Sequence, residues 1–321
     1  MMRVWFLNVG HGDCTIIEHP SGRLTMIDIN NSQNYDAGSF QQLLAEETAG
    51  YGLFASKAAI EEAARRKMAQ ELVDPIAFFK EKFGNRSLHR FILTHPDFDH
   101  FRGLRRLFEN VQVVNFWDTR NARTCVSFKN DADREDWAFY QALRGGRIQG
   151  VTLLKPWRGD SGWAYGQVAD RDDLEILSPT PQLVDWANQA EDWNELSLVV
   201  RANYAGTSVL LPGDAEEWAW DELVAAHGKN LKSTVLKASH HGRQSGFHLD
   251  AVKLIAPQIT IASVGRKPDT DAHSHYCRQC SNVWSTRYYG TLCLEVSPNG
   301  QRSWTCERNG TKSDTSRRRV I

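Results

Sequence analysis

Three apolar runs lie far apart in the chain, and each stops at polar, ionisable residues. They are FILTHPDFDH at 91–100, VLLPGD ending at Asp214, and VLKASHHG carrying His240 and His241. A short apolar run closed by glycine, proline or aspartate reads as a buried strand. In a layered α/β protein such strand ends can converge on one edge, where ligand sites form. Singly, each run has a plainer reading. Pro-Gly-Asp is a common turn, and a histidine pair beside glycine suits a cap or an exposed turn. Together they weigh differently. His95, Asp97, Asp99 and His100 crowd into six positions, and Asp214 and the histidine pair follow in order. That combination favours a dinuclear metal site.

The rest of the chain alternates β and α patterns. RVWFLNV, CTIIE and LTMID read as three strands around the turn GHGD, and residues 40–82 carry helical spacing up to Gly84. HRFILTH and VQVVNFWD read as strands, with a helix from Gly103 to Phe108 between them. Residues 119–173 read as an irregular insertion with a helix near 133–144. Regular structure resumes at LEILSP, NELSLVVRANY and TSVLLPGD. A helix at 216–227, the strand STVLKASHHG, a helix near 248–255 and the strand QITIASVG follow. GTLCLEV and RSWTCE form a hairpin. The expected organisation is one domain over 1–307 and a basic, disordered tail over 308–321.

Composition narrows the function classes. Lys plus Arg number 38 and Asp plus Glu 39, for a net charge of −1. This argues against a strongly basic nucleic-acid binder, while leaving room for a local basic groove. The opening MMRVWFLNVGHGDC is too polar for a signal peptide. No run approaches the roughly 18 apolar residues of a membrane span. A soluble, cytoplasmic protein without a membrane partner is expected. The six cysteines, Cys14, Cys125, Cys277, Cys280, Cys293 and Cys306, then read as thiols or metal ligands. Cys277 and Cys280 with His273 and His275 leave a small zinc site open, against plain buried or surface thiols.

The stretches VWFLNVGHGDCTIIEHPSGRLTMIDIN, THPDFDHFRGL, NELS, LLPGDAE, LKASHHG and ITIASVG resemble, in order, the metallo-β-lactamase-fold hydrolases. Within them the similarity is to the hydrolase domains of ComEC competence proteins. The resemblance implies an αββα sandwich of two mixed sheets flanked by helices. It implies a site with two divalent ions, zinc or manganese. His95 and Asp97 would bind the first ion, Asp99 and His100 the second, and Asp214 would bridge them. His240 would complete the second site, with His241 either its alternative or aimed at the substrate.

The chain departs from the pattern at three places. Asp97 stands where the HxHxDH signature has histidine, and His11 where the opening turn has glutamine. No histidine lies between 101 and 213, which leaves Asn194 of NELS as the nearest substitute for the third first-site imidazole. An oxygen-richer first site favours manganese or magnesium over zinc. Asp28 would support a metal-binding histidine from behind. Asp13 either belongs to the site or closes its turn.

Two ions about 3.5–4 Å apart hold a bridging hydroxide and clamp a phosphoryl or acyl centre. Asp99 would orient that hydroxide. His241, His273 and His275 are candidates to protonate the leaving oxygen. His11, Asn194, Ser197, Arg243 and His273 are candidate substrate contacts. The implied activity is a phosphodiesterase or nuclease with DNA as substrate. A small phosphodiester or acyl substrate, or a partner-binding role for a degraded site, stays open. Arg102, Arg105 and Arg106 either meet phosphates or are solvated helix charges. Trp137, Trp157 and Trp163, among Arg123, Arg134, Arg144, Arg147 and Arg158, either stack single-stranded bases or pack the insertion.

Overall fold

The computed structural model describes residues 1–32, 37–51, 56–159, 172–265, 270–308 and 310–312. The first sheet contains β1 (Met2–Phe6), β2 (Thr15–Glu18), β3 (Leu24–Ile27), β5 (Leu88–Ile92), β6 (Val113–Trp117), β7 (Thr152–Leu154), β14 (Leu292–Val296), β15 (Arg302–Cys306) and β16 (Gly310–Lys312). The two-residue β4 (Ile29–Asn30) bridges Phe101 and Arg102 instead. The second sheet contains β8 (Leu174–Ser178), β9 (Val199–Tyr204), β10 (Thr207–Leu211), β11 (Val235–Lys237), β12 (Ile259–Ala262) and β13 (Val283–Ser285). Their orders are β16-β15-β14-β1-β2-β3-β5-β6-β7 and β13-β12-β11-β10-β9-β8.

Both sheets are mixed. β3, β5, β6 and β7 run parallel while β1, β2, β14, β15 and β16 pair antiparallel. β10 to β13 run parallel, and β9 and β8 close the sheet antiparallel. Val4, Phe6, Ile92, Trp117, Val200, Val209, Ile261 and Trp304 fill one core with residues of both sheets. The outer face of the first sheet packs on the helices Pro75–Phe83, Leu104–Asn110 and Asp131–Arg144. That of the second packs on Glu217–His227, Leu249–Ile255 and His273–Gln279. The expected αββα sandwich is the architecture found.

Local chemistry sets the helix starts. Asp74, ahead of Pro75, accepts from Ile76 N and Ala77 N. Asn130 accepts from Asp133 N, starting the helix that the sequence places near 133–144 at Asp131. That helix buries Trp137, Tyr140 and Leu143. Its Asp136 accepts from Gly103 N (2.6 Å) and Arg105 N (3.0 Å), so it anchors the helix that follows HPDFDHF. Sequence reading missed β7, β13 and the helices Pro181–Ala190, His273–Gln279 and Thr286–Tyr289, and it placed β16, which pairs with β15, in a disordered tail. The three strands are three residues long, too short for a period to show. Among the described residues, no helix is long and apolar enough to cross a membrane.

Candidate metal centre

β1, β3, β5, β10 and β11 all deliver loops to one edge of the sandwich. Thr94 and His95 follow β5 and are fully buried. One turn of helix, Phe98–Phe101, then carries Asp99 and His100, with Asp97 as its N-cap. The GHGD turn lies against that helix, where Asp13 N donates to Asp99 O (3.2 Å). Only glycine fits at position 12: its φ is +147°, and a Cβ there would stand 2.7 Å from Asp99 O. Gly213 (φ +58°) brings the Asp214 loop so close that a Cβ would lie 2.8 Å from Thr94. Ser197 Oγ accepts from Asp214 N (3.2 Å), and NELS thereby fixes the backbone of Asp214.

His240 and His241 form a left-handed pair, with φ of 47° and 56°. Such a conformation costs a non-glycine residue roughly 1–2 kcal/mol. The turn sends the two rings to different places. His241 is fully buried, its Nε2 3.3 Å from Asp99 Oδ2 and 3.4 Å from Asp214 Oδ2. His240 is 17% exposed, its Nδ1 2.6 Å from Glu216 Oε1 and 2.8 Å from Ser245 Oγ, its Nε2 3.7 Å from Asp214 Oδ2. His100 Nε2 lies 3.3 Å from Asp214 Oδ1, and His95 Nε2 4.0 Å from Asp214 Oδ2.

The donor set fits a metal ion. His95 Nε2, His100 Nε2, both nitrogens of His241 and Asp214 Oδ1 are buried without a hydrogen-bond partner, a state that native interiors avoid unless something else binds the group. Ligands about 2.05 Å from a tetrahedral ion stand about 3.3 Å apart. The His100–Asp214, His241–Asp214 and His241–Asp99 spacings are 3.3–3.4 Å.

Groups behind the donors set their charge and aim. Asp28 accepts from Thr94 N (2.8 Å), Thr94 Oγ1 (2.7 Å) and His100 Nδ1 (2.8 Å), which leaves His100 Nε2 for a ligand. Burial disfavours the His100 imidazolium, yet Asp214 and Asp28 outweigh it and hold the pKa well above its usual value. Burial also opposes a charged His241, but Asp214 and Asp13 raise it to about 9. Burial and the nearby His100 push His95 well below its usual value, toward the neutral ring. Asp13 is itself clasped by the buried Lys237, with Nζ–O distances of 2.8 and 2.9 Å, and stands 3.6 Å from His241 Nδ1.

The remaining sequence candidates lie around this centre. Arg243 Nη2 donates to His11 Nε2 (2.7 Å), and the His11 ring lies 4.6 Å from that of His241. Asn194 Nδ2 donates to Glu216 Oε1 (3.3 Å). His273 and His275 are not among the close donors. His273 Nε2 meets Cys277 Sγ at 3.2 Å, and His275 packs on Phe247. Among the described residues, no close group of three donors contains a cysteine. Arg102, Arg105 and Arg106 pair with Asp133, with Glu109 and Glu135, and with Asp74. Trp137 is buried against Phe98, Phe101 and Tyr140, and Arg120 caps Trp157. Trp163 lies outside the described residues.

Two residues escaped sequence reading. Lys237 left a trace, as a charge inside the apolar run VLKA. Glu216 stands two residues after Asp214. Arg123, weighed with the other arginines of the insertion, pairs with Asp97.

No family model matches the chain. It is 25% identical over 247 residues to ComE operon protein 3 of Bacillus subtilis, covering 76% of this chain and 28% of that protein. It is 30% identical over 148 residues to the competence protein ComA of Neisseria gonorrhoeae, covering 45% of this chain and 19% of that protein. The match thus spans under a third of each relative's length. Among solved structures, the chain is similar to Igni18, a metallo hydrolase from Ignicoccus hospitalis (12% identity, 92% of this chain, 100% of that one, TM-score 0.47). It is also similar to the metallo-β-lactamase fold protein YhfI from Bacillus subtilis (8% identity, 89% and 96% coverage, TM-score 0.45). The sequence relatives are therefore ComEC-like competence proteins and the structural neighbours proteins of the metallo-β-lactamase fold, the grouping that the motifs resemble.

Proposed function

We propose that the chain is a metal-dependent phosphodiesterase that cleaves DNA. The observation that carries the reading is the buried convergence of Asp13, His100, Asp214 and His241, with unpartnered atoms on His100, Asp214 and His241 and Asp99 beside His241. A divalent metal held there would polarise the phosphoryl group and bring the pKa of water toward neutrality. His95 stands beside the set as a further neutral donor. Asp28 fixes the tautomer of His100, and the Lys237–Asp13 pair backs His241. His240, gripped by Glu216 and Ser245 at Nδ1 and partly exposed, is placed to pass a proton from Nε2 to the leaving oxygen. The resemblance to competence proteins directs the substrate reading to DNA.

Among the described residues, a wall that would select DNA stands outside the insertion. Trp218 is 55% exposed and stacks on Trp186, with ring centroids 4.5 Å apart and planes 21° apart. It stands two residues past Glu216, the partner of His240. An exposed indole backed by the partly buried Trp186 suits a stacked base, worth about 1–3 kcal/mol per base, or about five- to 150-fold in affinity.

The test is a cleavage assay on metal-stripped protein reloaded with manganese, zinc or magnesium. Single-stranded DNA should be cut only after reloading. Failure to cut any phosphodiester with any of the three would sink the proposal. Cleavage of a small chromogenic diester but not DNA would favour the small-substrate alternative. Trp218→Ala should weaken DNA binding within the range above and spare the chromogenic diester. Equal loss on both substrates would remove the stacking platform from the reading.

A further inference from the structure

Asp97 occupies the place of the second histidine in the resembled signature, and its carboxylate is engaged by the guanidinium of Arg123. Arg123 is presented by an ordered loop after β6. Its backbone N donates to Asn121 Oδ1 (3.2 Å), which also accepts from Arg144 Nη1 (2.7 Å). Asn121 Nδ2 in turn meets Tyr140 OH (2.8 Å). The Arg123 and Asp97 side chains are 20% and 35% exposed, so the pair reaches solvent at the start of the helix that carries Asp99 and His100.

The donors needed for a first ion are thin beside this pair. Among the described residues, the close donor groups are Asp13, His100, Asp214 and His241, and His11, Asp99 and His241; neither includes His95 or Asp97. His95 Nε2 is 4.0 Å from the Asp214 carboxylate, against 3.3 Å for His100 Nε2. The chain also has no histidine between 101 and 213 to serve as a third first-site imidazole.

We propose that Arg123 takes the place of the first metal ion. The chain holds one ion tightly, at His100, Asp214 and His241. Arg123, fixed on Asp97, supplies the other positive charge that faces the phosphate. A guanidinium suits the task because it keeps its charge at all working pH values and offers a planar fork matched to phosphate oxygens. This inference rests on the metal-dependent reading above.

The test is a manganese titration by calorimetry of the chelator-stripped full chain, with elemental analysis after desalting. The wild type should take one tight equivalent. Arg123→Ala and Arg123→Gln should each release Asp97 and admit a second equivalent, while Arg123→Lys should stay at one. Circular dichroism spectra matching the wild type would establish that the variants are folded. Two tight equivalents in the wild type would overturn the inference and leave the hydrolase reading standing. So would a single equivalent in both folded neutral variants. A chain that binds no metal in any form would overturn both.

Discussion

Replacing Asp214 with alanine is expected to abolish hydrolysis while leaving the sandwich intact. Its carboxylate stands within 3.3–4.0 Å of His95, His100, His240 and His241, so it touches four of the histidines at the centre. Metal stabilisation of a phosphoryl transition state is worth several kcal/mol, and each decade in rate corresponds to about 1.4 kcal/mol. A loss of about three decades or more follows. Asp214 lies in a loop, not in a strand, and its backbone N is held by Ser197 Oγ whatever its side chain. Turnover on a chromogenic phosphodiester, read beside a circular dichroism spectrum, decides the matter. Near-normal turnover in Asp214→Ala would remove the metal centre from its assigned place.

The largest loss of stability is expected from Lys237→Met. Lys237 and Asp13 are 2% and 5% exposed, and the ammonium is within 2.9 Å of both carboxylate oxygens. Burial raises the carboxylate pKa, but Lys237 and His241 overcome it and hold Asp13 below its ordinary range. Removing one member of such a pair leaves an uncompensated buried charge, at a cost of about 3–5 kcal/mol. Urea unfolding should show this loss directly. Removing the charge as well, in Lys237→Met with Asp13→Asn, should recover most of it. A single-variant loss below about 1 kcal/mol would mean that water or His241 already satisfies Asp13.

What was legible in the sequence follows from what each feature depends on. Strand ends and the ionisable residues gathered at them could be read because buried, clustered polar groups leave dense local signatures, as in THPDFDH and LKASHHG. The α/β class followed from strand and helix patterns of ordinary length, and the two-sheet sandwich from the family resemblance. Contacts between distant segments left no such signature. The pairing of Asp97 with Arg123 depends on how a 26-residue separation is folded back (123 − 97), and nothing local to either residue encodes it. Of the two readings open for the insertion's tryptophans, Trp137 takes the packing one, on the buried face of an amphipathic helix, and among the described residues Trp218 is the exposed tryptophan. The order within the histidine pair depends on two left-handed backbone conformations, which residue identity alone does not specify.

The donors come from both layers. Asp99 and His100 follow β5 of the first sheet, while Asp214 and His241 follow β10 and β11 of the second. An ion shared among them would be a cross-link between the layers, and its occupancy would be coupled to folding itself. A ligand that binds only the folded state adds about 2.7 kcal/mol at a hundred times its Kd. Stripping with a chelator should therefore lower the melting temperature, and graded free manganese should restore it in proportion to the logarithm of its concentration. A melting temperature indifferent to metal would show that the seam closes without it. If the coupling holds, metal supply governs how long the folded chain survives as well as how fast it works.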